Sequence, residues 1–270
     1  MLAMGLAQCS PAPRAWEIRG DVAQAIQQGI ARGTGRFDHA RFDAILRATV
    51  NTAENRVNYA AIKAREAELD AYLAELARAD LKSLSRDHLL ALFLNAYNAY
   101  TIKSILRTMT PARPAGVASI RDIPNVFKAP EHSVGSFRLS LDNIEHNILR
   151  PIFRDPRIHF AVSCAAVSCP PIADRAFTGE QVPQQLDEAA RRTLTSPRYA
   201  RVERNRLLLT KVMDWYGRDF VTPGYHGSAK TLGEYVERYA APDVREFIGR
   251  HRSRVPIDFM EYDWSLNRAN

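Results

Sequence analysis

The sequence predicts an α+β fold in which a helix-rich first third packs on a small antiparallel sheet. Apolar residues recur with helical spacing through the first third, whereas strand-like runs come later, at 134–141, 158–162, 199–210 and 256–262. Short strands after a helical first third favour this class. The 270 residues suffice for one large domain with its own core. We expect a single domain at 37–267 after a flexible extension at 1–36.

Three helices are predicted in the first third. The first contains Phe37, Phe42, Ile45 and Leu46, and the second covers 60–77. The third begins after Ser85, a favourable N-cap residue, and runs to about residue 109, before two prolines. This helix is apolar on most sides, so it should lie at the centre of the fold.

Asn95 and Asn98 lie three residues apart on one face of this apolar helix. A buried amide must find hydrogen-bond partners. In one interpretation both side chains hold a neighbouring loop. In the other, Asn95 orients a catalytic histidine and Asn98 contributes to binding.

A strand at 134–141 leads into a short helix that should end near Pro151. Asp142 and Glu145 have the spacing of a capping box at the start of this helix, which alone would explain Glu145. His146 follows directly and is a candidate for either a structural or a chemical role. Further along, we expect helices at 187–194, 213–220, 231–239 and 244–251, a hairpin at 199–210 and a last strand at 256–262.

The stretch Arg157–Ile172 is the main candidate site. Its apolar run, 158–162, is predicted to be a buried strand, and Cys164 and Cys169 follow it before Pro170-Pro171. Catalytic groups are often displayed where a rigid element gives way to a loop. If Pro171 began a helix, the amides of that helix would stabilise a Cys169 thiolate and form an oxyanion hole.

The first functional hypothesis is therefore a cysteine-dependent hydrolase or acyl/amide transferase. Cys169 would be the nucleophile, His146 or His159 the base, and Glu145 or Asn95 the orienting group. Asn98, Asp142 and Cys164 would contribute to binding a small-molecule or peptide substrate, with no cofactor. A distant likeness to papain or transglutaminase folds is an analogy only.

Two alternatives involve the same residues. Cys164 and Cys169 could form a disulfide if their Cα atoms lie within about 7 Å, which would suit a non-catalytic envelope binding or scaffold module. Alternatively, His159 and both cysteines, with His146 or Glu145, could bind zinc, although their spacing matches no compact zinc motif.

Composition limits the partners. The 37 Lys+Arg against 30 Asp+Glu give +7, but no tight basic block is present, so we expect no nucleic-acid partner. No stretch has the roughly 18 apolar residues of a membrane span. The short apolar start, Met1–Ala7, is either the remnant of an export signal or a disordered start, and the first interpretation favours a periplasmic or secreted protein over a cytoplasmic one.

Several motifs together resemble the bacterial branch of the domain of unknown function 547 family. They are 94–101 (LNAYNAYT), 140–146 (SLDNIEH), 157–161 (RIHFA) with Cys164 and 168–171 (SCPP), 214–216 (DWY) and 262–267 (YDWSLN). The resemblance covers about 37–267. It implies that the recurring polar positions fall on Asn95, Asn98, Asp142, Glu145, His146, His159, Cys164 and Cys169. It implies no established activity, although relatives joined to a glutaredoxin-like module suggest thiol chemistry.

Overall fold

The structure, a computed structural model, describes residues 20–269 and confirms the α+β class. The expected export-signal remnant lies outside the described residues. The α-helices are α1 (Gly20–Arg32), α2 (Ala40–Thr49), α3 (Tyr59–Ala64), α4 (Glu66–Ala77), α5 (Arg86–Arg107), α6 (Val182–Leu194), α7 (Val212–Trp215), α8 (Gly217–Val221), α9 (Leu232–Glu237) and α10 (Pro242–His251). Two other helical segments matter below: a π-wound helix at Asn143–Phe153, here called the site helix, and a 3₁₀ segment at Pro156–Phe160.

The strands form three small sheets rather than one. They pair as β1 (Val50–Asn51) with β2 (Arg56–Val57), β3 (His132–Val134) with β4 (Phe137–Leu139), and β5 (Ala200–Glu203) with β6 (Arg206–Leu209) and β7 (Ile257–Phe259). All pairs are antiparallel except β6 with β7, which is parallel. The β5–β6 hairpin turns through Arg204 and Asn205, both at positive φ, as a tight two-residue loop requires.

Helix α5 forms the centre of the larger of two apolar clusters. Its residues from His88 to Thr101 are all buried, as its apolar sequence predicts. The smaller cluster lies between the β5–β6–β7 sheet and helices α6 and α8–α10. Val22 and Ile26 of α1 are buried in the larger cluster, so the core starts earlier than the boundary expected near Phe37. Within 20–269, no helix combines the length and apolarity needed to cross a membrane.

The predicted strand at 158–162 is wrong, because the chain forms the 3₁₀ segment there. The Asp155 side chain accepts a hydrogen bond from the Arg157 amide at 3.0 Å, and Pro156 occupies the first helical position. An N-cap aspartate followed by proline is a helix-start signal that decides the conformation of the apolar run. The condition of a helix that begins at Pro171 is not met either, since the next helix among the described residues is α6 at Val182.

The capping box predicted at the site helix is displaced. Asp142 makes no capping hydrogen bond. The reciprocal pair is formed by Ser140 and Asn143, whose side chains each accept from the other residue's backbone N–H at 3.0 Å. Glu145 is thereby left to turn into the protein interior, where it is 6% exposed. The second predicted helix also divides in two, at Arg65 between α3 and α4.

Candidate functional site

The stretch that the sequence presents as one site divides into two. His159 enters a buried group of ionisable side chains, here called the charge cluster: Glu145, His146, Arg150, His159 and Asp219. Cys164 and Cys169 belong to a separate segment, the disulfide loop at 164–169. The division follows from the 3₁₀ segment, which turns His159 inward before the chain continues to Cys164.

Asp219 forms the inner end of the charge cluster. It accepts a hydrogen bond from His159 Nε2 at 2.9 Å and two from Arg150, at 2.7 Å to Oδ2 and 3.0 Å to Oδ1. The His159 side chain has no exposed surface and that of Asp219 is 7% exposed. The site helix, the 3₁₀ segment and α8 are thus joined by one buried ion-pair network, in which the two-pronged arginine contact fixes the geometry.

Glu145 faces the other side of the same imidazole. Its Oε1 lies 3.8 Å from His159 Nδ1, too far for a hydrogen bond. The carboxylate accepts hydrogen bonds from the hydroxyls of Tyr97 and Tyr216. The Tyr216 ring also stacks on the His159 ring, with centroids 4.1 Å apart and planes at 10°. Glu145 is therefore a buried carboxylate that two phenols hold in place.

The charge states follow from burial and from these neighbours. Burial acts to raise the pKa of the Glu145 carboxyl, but the nearby His146 and His159 imidazoles and the Tyr216 hydrogen bond bring it below its ordinary value. Hydrogen bonds from His159 and Arg150 likewise outweigh burial and lower the pKa of Asp219. Burial lowers the pKa of His159. Both carboxyls are therefore ionised and His159 is neutral near pH 7.

A neutral His159 has one proton, and Asp219 is its acceptor at Nε2. The Nδ1 lone pair then faces the Glu145 carboxylate, and Nδ1 has no hydrogen-bond partner within the described protein. Two proton acceptors thus face each other inside the fold. Because the pKa of each group is lowered, no proton is shared between them near pH 7.

His146 and Asp142 form the outer end of the network. Their side chains are 21% and 36% exposed, and His146 Nε2 lies 3.9 Å from Asp142 Oδ1. Arg150 Nη1 lies 3.4 Å from His146 Nδ1. Because arginine can only donate, this contact favours the neutral tautomer with its proton on Nε2. Burial raises the pKa of Asp142, so an imidazole and a carboxyl group suited to proton transfer reach the surface together.

The disulfide loop contains no comparable network. Cys164 and Cys169 form a disulfide with Cα atoms 6.3 Å apart, and Cys169 is 3% exposed. Cys169 Sγ accepts hydrogen bonds from the Cys164 amide at 2.9 Å and from the Tyr262 hydroxyl at 3.2 Å. Neither sulfur contacts an imidazole in the described part of the chain. The contact on which a Cys169–histidine mechanism depends is therefore missing there.

The side chains of Asn95 and Asn98 both form hydrogen bonds with backbone groups of neighbouring loops. Asn95 donates to the Phe177 carbonyl at 2.8 Å and accepts from the Phe177 amide at 3.0 Å. Asn98 donates to the Ala161 carbonyl at 3.0 Å and accepts from the Ser163 amide at 2.8 Å. These contacts favour the loop-holding interpretation, and Asn98 fixes the segment that joins His159 to Cys164.

Sequence reasoning did not select Arg150, Asp219 or Tyr262. Arg150 lies four residues after His146 on the same helix, a spacing that places the two side chains on one face. Asp219 and Tyr262 are far from their partners in sequence. No local pattern marks Asp219, and Tyr262 lies in the 262–267 motif, which does not indicate its partner. Tyr97 and Tyr216 lie within motifs of the family resemblance, but their hydroxyls pair with Glu145 only in the folded chain.

The residues considered as zinc ligands are divided between the charge cluster and the disulfide loop. Among residues 20–269, no three His, Cys, Asp or Glu side chains converge closely enough to hold a metal ion. No curated protein matches the chain, and no solved structure does. Residues 81–194, which include all eight predicted site residues, match the family model described as "Protein of unknown function, DUF547", and this match supports placing the chain in that family.

Proposed function

We propose that this protein is a hydrolase or acyl/amide transferase whose acid–base chemistry is carried out at the outer end of the charge cluster. The supporting observation is the position of His146. Its imidazole is partly exposed, while behind it lies a buried network of two carboxylates, an arginine and a second imidazole. Buried ionisable groups are costly to maintain, and such groups concentrate at functional sites.

In this proposal His146 is the catalytic residue that contacts substrate. Arg150 donates to its Nδ1, so the proton of the neutral ring is on Nε2 and is given to the leaving group, while the adjoining Asp142 carboxylate accepts the proton of the nucleophile. Environments that move the pKa values of two neighbouring carboxyls apart assign them different roles. Burial raises the pKa of Asp142 and makes its carboxylate the better base, whereas the neighbours of Glu145 lower its pKa, so Asp142 exchanges a proton and Glu145 stays charged.

The cysteines have no part in this acid–base step. Cys169 is buried and disulfide-bonded, and its hydrogen bonds go to Cys164 and Tyr262 rather than to a histidine. The activated nucleophile would instead be a water molecule in hydrolysis, or an amine or hydroxyl group in transfer, that gives up its proton to the Asp142 carboxylate while His146 Nε2 protonates the leaving group.

The test is hydrolysis of nitrophenyl esters and nitroanilides of small acids and amino acids, with and without added amine acceptors. His146→Gln should lower kcat/KM by about 10²- to 10⁴-fold, the usual contribution of a general acid. The matched control is His251→Gln, a partly buried helical histidine outside the cluster. Absence of turnover by the unmodified protein, or equal turnover by His146→Gln, would show that the cluster is only structural.

We also propose an oxidising location, periplasmic or secreted, for the protein. The support is the disulfide, a bond that persists in such compartments and is rare where thiols are kept reduced. Fractionation of cells that express the full-length chain tests this directly. Recovery of the protein in the cytoplasm with both thiols free would contradict it.

A further inference from the structure

We propose that the disulfide loop is a thiol–disulfide exchange site, in which an external thiol attacks Cys164 and Cys169 is the leaving group. The two sulfurs differ in exposure and in hydrogen bonding. Cys164 is partly exposed, whereas Cys169 is 3% exposed. Exchange begins at the sulfur that a thiolate can reach and proceeds faster when the departing thiolate is stabilised.

Cys169 has the environment of a stabilised leaving group. The Cys164 backbone N–H points at its sulfur at 2.9 Å, and the Tyr262 hydroxyl donates to it at 3.2 Å. Hydrogen bonds of this kind favour the thiolate over the thiol. The same hydroxyl lies 3.1 Å from Cys164 Sγ. One phenol is therefore positioned to serve whichever sulfur carries the charge.

Aromatic packing keeps the Tyr262 hydroxyl in position. The Tyr262 ring contacts Trp215 at a centroid distance of 4.7 Å and Trp264 at 4.6 Å. Both tryptophans are partly exposed, so the sulfurs lie beside an aromatic surface rather than deep in the core. This surface restrains the donor without closing the approach to Cys164.

The backbone holds the two cysteines unequally. The Cys169 carbonyl accepts hydrogen bonds from Asn55 and from Tyr199, each at 2.9 Å, so this end of the loop is fixed. Directly after Cys164, Ala165 has a φ of +64°. A left-handed conformation is disfavoured for a residue with a Cβ, and such strain tends to occur at functional sites. The strain lies next to the sulfur that the proposal assigns as the point of attack.

The exchange balances with thiols as the reductant. An external thiolate forms a bond to Cys164 Sγ, the Cys164–Cys169 bond breaks, and its electron pair stays on Cys169 as a thiolate. A second external thiolate then attacks the external sulfur of the mixed disulfide and releases Cys164. The protein disulfide gains two electrons and two protons, and two external thiols become one disulfide. The reverse sequence oxidises a dithiol partner.

The experiment uses the full chain with Cys9→Ser, so that only these two cysteines remain. The folded protein is incubated with reduced glutathione. N-ethylmaleimide then stops the reaction by alkylating free thiols, and mass spectrometry measures how many were alkylated. Tyr262→Phe removes the donor but keeps the ring, and it should slow reduction about 10-fold, because the leaving thiolate loses a hydrogen bond. Tyr225→Phe, a partly exposed tyrosine away from the loop, is the matched control and should reduce at the unmodified rate.

The two sulfurs are then compared one at a time with oxidised glutathione. In Cys169→Ser the remaining Cys164 should form the mixed disulfide at least about 10-fold faster than Cys169 does in Cys164→Ser. Circular dichroism confirms that each protein is folded. Reduction that occurs only on unfolding, equal rates for Tyr262→Phe and the unmodified chain, or equal reactivity of the two thiols would each overturn the proposal and leave a structural disulfide.

Discussion

The charge cluster and the disulfide loop come within five residues of each other along the chain, at His159 and Cys164, yet they are held by opposite means. The cluster depends on ion pairs between side chains of several elements. The loop depends on backbone hydrogen bonds to the end of the chain, among them Val167 to Ser265 at 2.8 Å. Changes of charge or pH should therefore act on the first region, and changes of backbone conformation or redox state on the second.

The largest loss of stability should come from removing the Asp219 carboxylate, which joins His159 to Arg150 in the charge cluster. Asp219→Ala leaves Arg150 buried without its partner and removes the acceptor of His159 Nε2. Breaking a buried ion pair on one side costs about 3–5 kcal/mol, so the free energy of unfolding should fall by that amount. Urea denaturation followed by circular dichroism measures it.

The matched control is Asp258→Ala, which removes an exposed ion pair with Arg206. Surface pairs contribute about 0–1 kcal/mol, so this variant should stay close to the unmodified protein. A loss below about 1 kcal/mol for Asp219→Ala would mean that the network does not stabilise the fold.

Substitution of the two asparagines on α5 should separate an effect on stability from an effect on the rate of disulfide reduction. Asn95→Ala and Asn98→Ala each remove two hydrogen bonds to buried backbone, and each should cost about 2–3 kcal/mol in thermal unfolding. Only Asn98 holds the segment that leads into Cys164, at the Ser163 amide. Asn98→Ala should therefore also speed reduction by glutathione, whereas Asn95→Ala should not. Equal reduction rates in both variants would remove the link between Asn98 and the loop.

Local sequence signals predicted much of the fold correctly. Periodicity and turn residues predict the α5 helix after Ser85 and the β5–β6 hairpin at 199–210, and the structure contains both. Errors arose where two signals competed. The apolar run at 158–162 has strand character, but Asp155-Pro156 immediately before it starts a 3₁₀ turn instead.

The candidate site was harder to predict because its partners are remote in sequence. His159 and Asp219 are 60 residues apart, and Cys169 and Tyr262 are 93 apart. Proximity along the chain suggested one site that contains both His159 and Cys169. A single inward turn at the 3₁₀ segment separates them. Asp155-Pro156 signals that turn, but no spacing rule says which remote side chains His159 and Cys169 then meet.

The pH dependence of the unfolding free energy should also distinguish the charge cluster from the disulfide loop. The pKa of His159 is lower in the folded state than the roughly 6.5 of an unfolded chain. As pH falls below that value the unfolded chain gains the proton first, so stability present above about pH 6.5 is lost toward lower pH. His159→Gln should reduce this slope by up to about 1.4 kcal/mol per pH unit.

His39 and His132, whose pKa values burial lowers to about 4, contribute to the slope in the same direction and are unchanged in this variant. Replacing both cysteines of the disulfide loop by serine should leave the slope unchanged, because a disulfide does not titrate in this range. Urea denaturation between pH 5 and pH 8 measures all three proteins. An unchanged slope in His159→Gln would mean that this imidazole has the same pKa folded and unfolded.

The smallest expected effect tests the backbone of the disulfide loop. Ala165→Gly removes the Cβ that disfavours a φ of +64°, a gain of about 1–2 kcal/mol, but glycine also makes the unfolded chain more flexible, at a cost of about 0.5–1 kcal/mol. The melting temperature should therefore rise slightly. Ala118→Gly, a nearby alanine that does not have positive φ, should lower it instead. If both glycine variants lose stability equally, Ala165 is not strained, and the loop's reactivity must then rest on the Tyr262 hydroxyl and the Cys164 amide alone.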